Sequence, residues 1–138
     1  MIDLKSFIAL MKAAGFDGAG GALEFADIGK GLGRGVWAYM IPDRASAEPS
    51  KGTQRVEQRV TQSVIVALYI PTQSGEKASD ALKLYHDKAI AALLGWQSPI
   101  DGGWTPLEYR GAALNSIQPG SMIWAQQWSY SFYIRKDL

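Results

Sequence analysis

The clearest alternation of apolar and polar positions in the chain runs over residues 121–135, close to its C-terminal end. Large apolar side chains fall on one face of an extended segment, and smaller or more polar ones fall on the other. A period of two residues is typical of a β-strand with one buried face. We expect this large face to belong to the core, and the strand is long enough to extend beyond its own sheet. The residues of the large face are Met122, Trp124, Trp128, Tyr130, Phe132 and Ile134.

Two earlier segments also have the composition of strands. Residues 56–70 turn apolar on both faces towards their middle, which indicates a strand whose centre is covered on two sides. Pro71 closes this segment. Residues 35–42 predict a shorter strand that ends at Pro42.

The long last strand is expected to be the second half of a β-hairpin. Residues 107–117 alternate in the same way and precede it. Between the two segments, Pro119 and Gly120 occupy the central positions of a type II turn.

Two other segments show helical spacing. Residues 4–14 carry an apolar stripe, with Asp3 placed to cap the start of a helix and Gly15 placed to end it. Residues 77–94 carry a second stripe rich in alanine, followed by Gly95. Both helices are expected to cover the sheet. A membrane-surface anchor is the alternative for the first helix, but it would need more basic residues on its polar face than the sequence provides.

The remaining segments are expected to be loops. Residues 44–54 contain no apolar side chain larger than alanine, so they should form an exposed, poorly ordered loop. Because its ends pass into strands, it is expected to join two neighbouring antiparallel strands. It is either a tolerated insertion or an arm that orders against a partner. Residues 15–35 are rich in glycine, and residues 22–28 within them form either a short strand or a turn of helix.

The order of these elements predicts a single domain spanning residues 1–138 with an α+β fold. The economical arrangement is a mostly antiparallel sheet of about four to five strands with two helices packed on one face. The net charge of +1 gives no broad attraction to nucleic acid or to an anionic membrane, and no apolar run could span a bilayer. The absence of cysteine excludes disulfides and fits a reducing, intracellular setting.

Candidate catalytic chemistry is sparse. Residues 29–35 invite comparison with a phosphate-binding loop, but a Walker loop needs Ser or Thr after its lysine, and Lys30 is followed by glycine. His86 is the single histidine and has no second ligand at helical spacing, so it is interpreted as a surface or interface residue. No cofactor or metal is expected. The alternative function is a small-ligand-binding or enzyme domain that uses residues 29–35 with Glu24 or Asp27.

The aromatic face of the last strand admits a second interpretation, as a platform on which nucleic acid bases stack. Such a platform normally adjoins a basic groove, and only Arg110, Arg135 and Lys136 are near it in the sequence. The core interpretation is therefore favoured, with the polar atoms of Trp and Tyr bonded at its edge.

Several segments taken together resemble small phage tail terminator proteins of the Mu-like and lambda-like kinds, and the Mu-like members most closely. They include the N-terminal helix, the sequence Val-Trp-Ala-Tyr-Met-Ile-Pro at residues 36–42, the polar loop, and Gln-Arg-Val-Thr-Gln-Ser-Val-Ile-Val at residues 58–66. The helix end Ala-Leu-Leu-Gly-Trp at residues 92–96, Pro-Leu-Glu-Tyr-Arg-Gly-Ala at residues 106–112 and the aromatic last strand continue the likeness. The resemblance covers most of the chain and consists of a pattern of spacing, with no single diagnostic motif.

The resemblance implies a structural virion protein and not an enzyme. Tail terminators form a hexameric ring on the head-proximal end of the tail tube, stop its polymerisation and present a docking surface for head-completion proteins. The implied partners are further copies of the chain, the tail tube protein and the head-completion or connector protein. DNA would pass through the lumen without specific binding, and no membrane would be involved. The protein would be assembled in the host cytoplasm and would reside in the virion tail.

The resemblance also implies that residues 29–35 and the loop at residues 44–54 contact other subunits or the tube. The candidate interface residues are Lys30, Arg34, Arg44, Glu48, Lys51, Arg55 and Arg59.

Overall fold

A computed structural model describes residues 2–27, 35–72, 76–98 and 105–138 of the chain. Its helices are α1 (Leu4–Ala13), α2 (Ala22–Ala26) and α3 (Glu76–Leu93). Its strands are β1 (Gly18–Gly20), β2 (Trp37–Ala47), β3 (Arg55–Pro71), β4 (Glu108–Gln118) and β5 (Ser121–Asp137). None of the helices in the described ranges is long and apolar enough to cross a membrane.

The strands form one sheet in the order β1-β2-β3-β5-β4. The pairs β2–β3, β3–β5 and β4–β5 are antiparallel, and only β1–β2 is parallel. The predicted α+β class with a mostly antiparallel sheet is therefore confirmed. The apolar segment at residues 56–70 is the central strand β3, which explains why both of its faces turn apolar.

Helices α1 and α3 pack on one face of the sheet, as the two apolar stripes predict. Asp3 caps the start of helix α1, and its carboxylate accepts from the backbone N–H and from the hydroxyl of Ser6, at 3.2 and 2.6 Å. The hydroxyl hydrogen bond is the main reason why the pKa of this exposed carboxyl is lowered. Phe7 and Met11 of α1 join Leu93 of α3 in the core, and all three are fully buried.

The glycine-rich segment contains strand β1, which the sequence does not define, and helix α2, which agrees with the helical alternative for residues 22–28. Strand β1 lies beside β2, and the ring of Trp37 occupies the space where a Cβ on Gly18 would sit. Helix α2 follows, with the ring of Phe25 5.6 Å from that of Tyr39. Because Tyr39 alternates with the core residue Ala38, α2 covers part of the sheet face opposite α1 and α3.

The predicted hairpin is confirmed as β4 and β5. Gly120 has a φ of +88°, which suits the third position of a type II turn. Trp128 is fully buried and Tyr130 nearly so, as expected for the large face of the last strand. The prediction is wrong for Ile134, which is 46% exposed because the helices do not reach this end of the strand.

Strands β3 and β5 pair along their whole lengths, from Arg55 opposite Asp137 to Pro71 opposite Ser121. Their neighbours stop earlier, since β4 reaches only Ser129 of β5 and β2 reaches only Val60 of β3. Residues 55–59 and 133–137 thus form a two-stranded ribbon beyond the rest of the sheet, here called the arm.

The prediction of a loop at residues 44–54 is wrong for residues 44–47. Strand β2 continues past Pro42 to Ala47, with a register shift between Pro42 and Arg44. Residues 42–47 are exposed on both faces. Backbone pairing holds this part of the strand, and side-chain burial does not. The amino-acid composition of the segment therefore does not indicate a strand. Residues 48–54 form the connection, and the predicted antiparallel joining of two strands is confirmed.

Candidate interaction surface

An open groove of about 460 Å³ lies where the connection at residues 48–54 meets the arm. Its lining residues are Glu48, Pro49, Lys51, Gly52, Arg55, Glu57, Arg59 and Tyr133. Successive side chains of a strand alternate between faces, so Glu57 and Arg59 lie on the side of β3 opposite the buried Val60 and Val64. The groove therefore opens on the face of the sheet away from α1 and α3.

The charged side chains of the groove are arranged around Glu57. Its carboxylate accepts from Arg55 at 2.6 Å and from Arg135 at 3.2 Å. The guanidinium of Arg59 donates to the hydroxyl of Ser131 at 3.4 Å. Exposed ion pairs of this kind contribute roughly 0–1 kcal/mol to stability. They orient the side chains of the groove more than they hold the fold together.

The connection is exposed, as predicted, and hydrogen bonds of its backbone and of the Ser50 side chain hold it against β3. The N–H of Glu48 donates to the carbonyl of Arg59 at 2.9 Å. The hydroxyl of Ser50 accepts from the N–H of Glu57 at 3.1 Å and from that of Gly52 at 3.4 Å. The wall of the groove thus has a defined shape in a single copy of the chain.

The structure brings together four of the predicted interface residues, Glu48, Lys51, Arg55 and Arg59, at this one groove. Arg44 is exposed on β2, opposite Ser63, and is not among the residues that line the groove. The remaining two, Lys30 and Arg34, lie outside the described residues. A role in subunit or tube contacts stays a prediction for all of them.

Sequence reasoning missed Glu57, Tyr133 and Arg135 as members of this surface. Tyr133 pairs with Arg59, and Arg135 pairs with Glu57, across the two strands of the arm. The guanidinium of Arg135 also lies 5.3 Å from the centre of the Tyr133 ring. The alternation in each strand places these residues on a polar face, but only the register between β3 and β5 brings them together.

His86 forms a second polar cluster, on the helix-covered face. This half-buried residue of α3 accepts at Nδ1 from the indole N–H of Trp124, at 3.0 Å. The amide nitrogen of Gln126, which is fully buried, lies 3.0 Å from the same Nδ1 and donates to the His86 carbonyl at 3.3 Å. The cluster joins α3 to β5, so His86 has a structural position that its place in the sequence does not indicate.

The two carboxylates of the ligand-binding alternative belong to α2, which contains Glu24 and is capped at its C-terminal end by Asp27. The Glu24 carboxylate accepts from the backbone N–H of Gly21 at 3.0 Å, which is the role of a helix-capping residue. A groove of about 490 Å³ lies beside α2, and its described lining includes Phe25, Tyr69 and Ile123 but neither Glu24 nor Asp27. Within the ranges that the structure describes, no group of three His, Cys, Asp or Glu residues could hold a metal ion. Most of residues 29–35 lie outside those ranges.

These features define a small α+β domain with a buried core, a projecting two-stranded arm and a charged groove at the base of that arm. The family model for phage tail terminator proteins matches residues 1–137, which is essentially the whole chain. The chain therefore belongs to the phage tail terminator family, as the resemblance suggested. Membership gives it a structural role in the phage tail and a place in the virion tail, in a family that is not a class of enzymes. No curated protein matches the chain.

Proposed function

We propose that this protein forms a hexameric ring at the head-proximal end of the tail tube. There it stops polymerisation of the tube and provides the docking surface for the head-completion or connector protein. The single observation that carries this proposal is the family match over residues 1–137. DNA passes through the lumen of the ring without specific binding, and the ring is assembled in the host cytoplasm before it joins the virion.

The groove beside the arm is the proposed contact with a neighbouring subunit or with the tube. Lys51 and Arg59 line it, while the Glu57 carboxylate is already engaged by Arg55 and Arg135. With Glu48 also in its lining, the groove carries charges of both signs, and its Lys51 and Arg59 side chains offer hydrogen-bond donors to an acidic or polar surface on the partner. The arm stands clear of the helices, so such a partner can reach it without unfolding of the core.

The test is electron microscopy of tail tube protein polymerised with and without this protein. We expect rings at one end of each tube and a narrow distribution of tube lengths in its presence. Unregulated lengths together with the absence of rings would overturn the proposal.

The groove is tested in the same assay with charge reversals. The pair Lys51→Glu and Arg59→Glu should weaken ring formation or capping of the tubes. The matched control carries Lys5→Glu and Lys12→Glu. These substitutions reverse the charge of two exposed lysines on α1, which lies on the other face of the sheet from the groove. Equal capping by both variants would remove the groove from the proposal while leaving the ring itself standing.

A further inference from the structure

The arm has a second face, which continues the core face of the sheet beyond the helices. Val56 pairs with Lys136 and Gln58 pairs with Ile134, and both pairs lie on the same side of the ribbon as Val60 and Phe132. Val60 is buried and Phe132 packs against the core. A shallow groove of about 110 Å³ runs along this face, lined by Val56, Gln58, Ile134, Arg135 and Lys136. The residues Val56, Gln58, Ile134 and Lys136 are called the arm strip below.

The arm strip is a partly apolar sheet face, and in the described part of the chain it is only partly covered. Ile134 is 46% exposed and Val56 is half-buried. A two-stranded ribbon on its own is only marginally stable in water, and it gains stability when its apolar face packs against another element. Because the strip is continuous with the core, a partner seated on it would extend that core.

Helix α3 offers the complementary surface on its outer side. Its outward residues recur at helical spacing, so they form one continuous ridge. These residues are Asp80, Leu84, Asp87, Ala91 and Leu94, and all of them are exposed. Leu84 is 50% exposed and Leu94 is 58% exposed. The N–H of Leu94 donates to the carbonyl of Ile90 at 3.0 Å, so the last helical turn extends to this residue. This set is called the α3 ridge.

We infer that the arm strip of one copy docks on the α3 ridge of a second copy. Both surfaces are apolar in part, and the charges beside the apolar residues are positive on the arm strip and negative on the α3 ridge. Lys136 lies at the tip of the arm strip, while Asp80 and Asp87 flank Leu84 on the α3 ridge. Lys77 and Lys83 lie only at the margins of the α3 ridge. In the inferred contact, the ammonium group of Lys136 therefore faces carboxylates along the centre of that ridge.

The two surfaces are different patches of the same chain, so the contact is heterologous. Heterologous contacts repeat from copy to copy and close into a ring when the rotation between copies allows it. The inference rests on the proposed ring and deepens it, because it names the pair of surfaces that join neighbouring copies. It also leaves the charged groove on the opposite face of the arm free for another partner.

The inference is tested by sedimentation of the full chain over a range of concentrations, and by the same measurement on tube-bound rings. Ile134→Asp places a charge in the apolar strip and should weaken self-association about tenfold or more. Ile117→Asp is the matched control, because Ile117 is also an exposed isoleucine, 68% exposed, but lies on β4 away from the strip. Circular dichroism shows that both variants are folded.

A charge exchange identifies the partner surface. K136E should weaken assembly, and D87K in the same chain should restore it, because every contact then carries the reversed pair. Failure of D87K to rescue, or assembly of Ile134→Asp equal to that of Ile117→Asp, overturns the inference. If the inference fails in either of these two ways but the unmodified chain still forms rings that cap tubes, the proposed function stands. If the unmodified chain neither forms rings nor limits tube length, the proposed function fails, and the inference fails with it.

Discussion

The indole N–H of Trp124 donates to Nδ1 of His86 across 3.0 Å, and this hydrogen bond joins the N-terminal part of β5 to α3. An indole nitrogen can only donate, so Nδ1 must accept and neutral His86 carries its proton on Nε2. Gln126 completes the cluster, since its amide oxygen accepts from the indole of Trp128 at 3.2 Å. The fully buried amide is therefore satisfied within an apolar face, and the position of α3 along the sheet is fixed by polar contacts as well as by packing.

We expect His86→Ala to lower the free energy of unfolding by about 1–3 kcal/mol, because it removes an acceptor from the Trp124 indole and from the Gln126 amide. Urea denaturation of the purified protein measures this change. Lys83→Ala, an exposed position on the same helix, should change the free energy of unfolding by less than about 0.5 kcal/mol. Equal stability of the two variants would show that the cluster does not contribute.

Gly18→Ala should destabilise the fold by about 1–3 kcal/mol, which is typical of overpacking. The added Cβ would lie closer to the ring of Trp37 than non-bonded atoms can approach. Removing the ring should remove the conflict, so Gly18→Ala should cost much less in a Trp37→Ala background. Urea denaturation of the unmodified chain and the three variants of this double-mutant cycle gives the coupling energy. A cost that is the same in both backgrounds would contradict the contact.

Stability should decrease in alkaline solution because of two buried phenols. Burial raises the pKa of Tyr39 and of Tyr130 above the ordinary value of 10.0. The folded state therefore favours the neutral phenols, and the unfolded chain ionises first. This contribution is fully present below pH 10 and is lost as the pH rises towards the higher values of the folded state.

The measurement is the free energy of unfolding as a function of pH from neutral to strongly alkaline. The double variant Tyr39→Phe and Tyr130→Phe should lose less stability above pH 10 than the unmodified chain. Tyr133→Phe, at a 43% exposed position on the arm, is the control and should follow the unmodified chain. Parallel curves for all three proteins would contradict the burial argument.

Ser50→Ala should loosen the connection beside the groove without affecting the core. The hydroxyl of Ser50 accepts from the N–H groups of Glu57 and Gly52, so its loss frees both amides. Hydrogen exchange should speed up at residues 48–57, while the free energy of global unfolding changes by less than about 1 kcal/mol. Ser46→Ala on the exposed part of β2 is the control. Exchange rates unchanged by Ser50→Ala would show that the hydroxyl does not hold the connection.

The parts of the fold that could be read from the sequence are those with a strong burial pattern. The alternation of β5, the two-sided apolar centre of β3 and the stripe of α1 each follow from side chains that meet the core. Strand β1 was not predicted because three small residues beside Trp37 carry no periodic signal. The exposed end of β2 has the composition of a loop for a related reason, since backbone pairing alone holds it.

The candidate site was predicted only in part. A polar, charged segment near residues 44–59 pointed to the correct region, and four of the predicted residues line one groove. Tyr133 and Arg135 come from the other end of the chain, and only the strand register places them beside Arg59 and Glu57. The exposure of Ile134 likewise depends on where the helices end, which no pattern within β5 determines.

The most direct test of ring formation is the mass of the protein, measured in solution and on tail tubes by native mass spectrometry or sedimentation. The chain has a mass of 15.0 kDa. We expect the tube-bound species to be a hexamer, with one copy of that ring per tube. A protein that stays monomeric in solution and fails to assemble on tubes at any concentration would contradict this account.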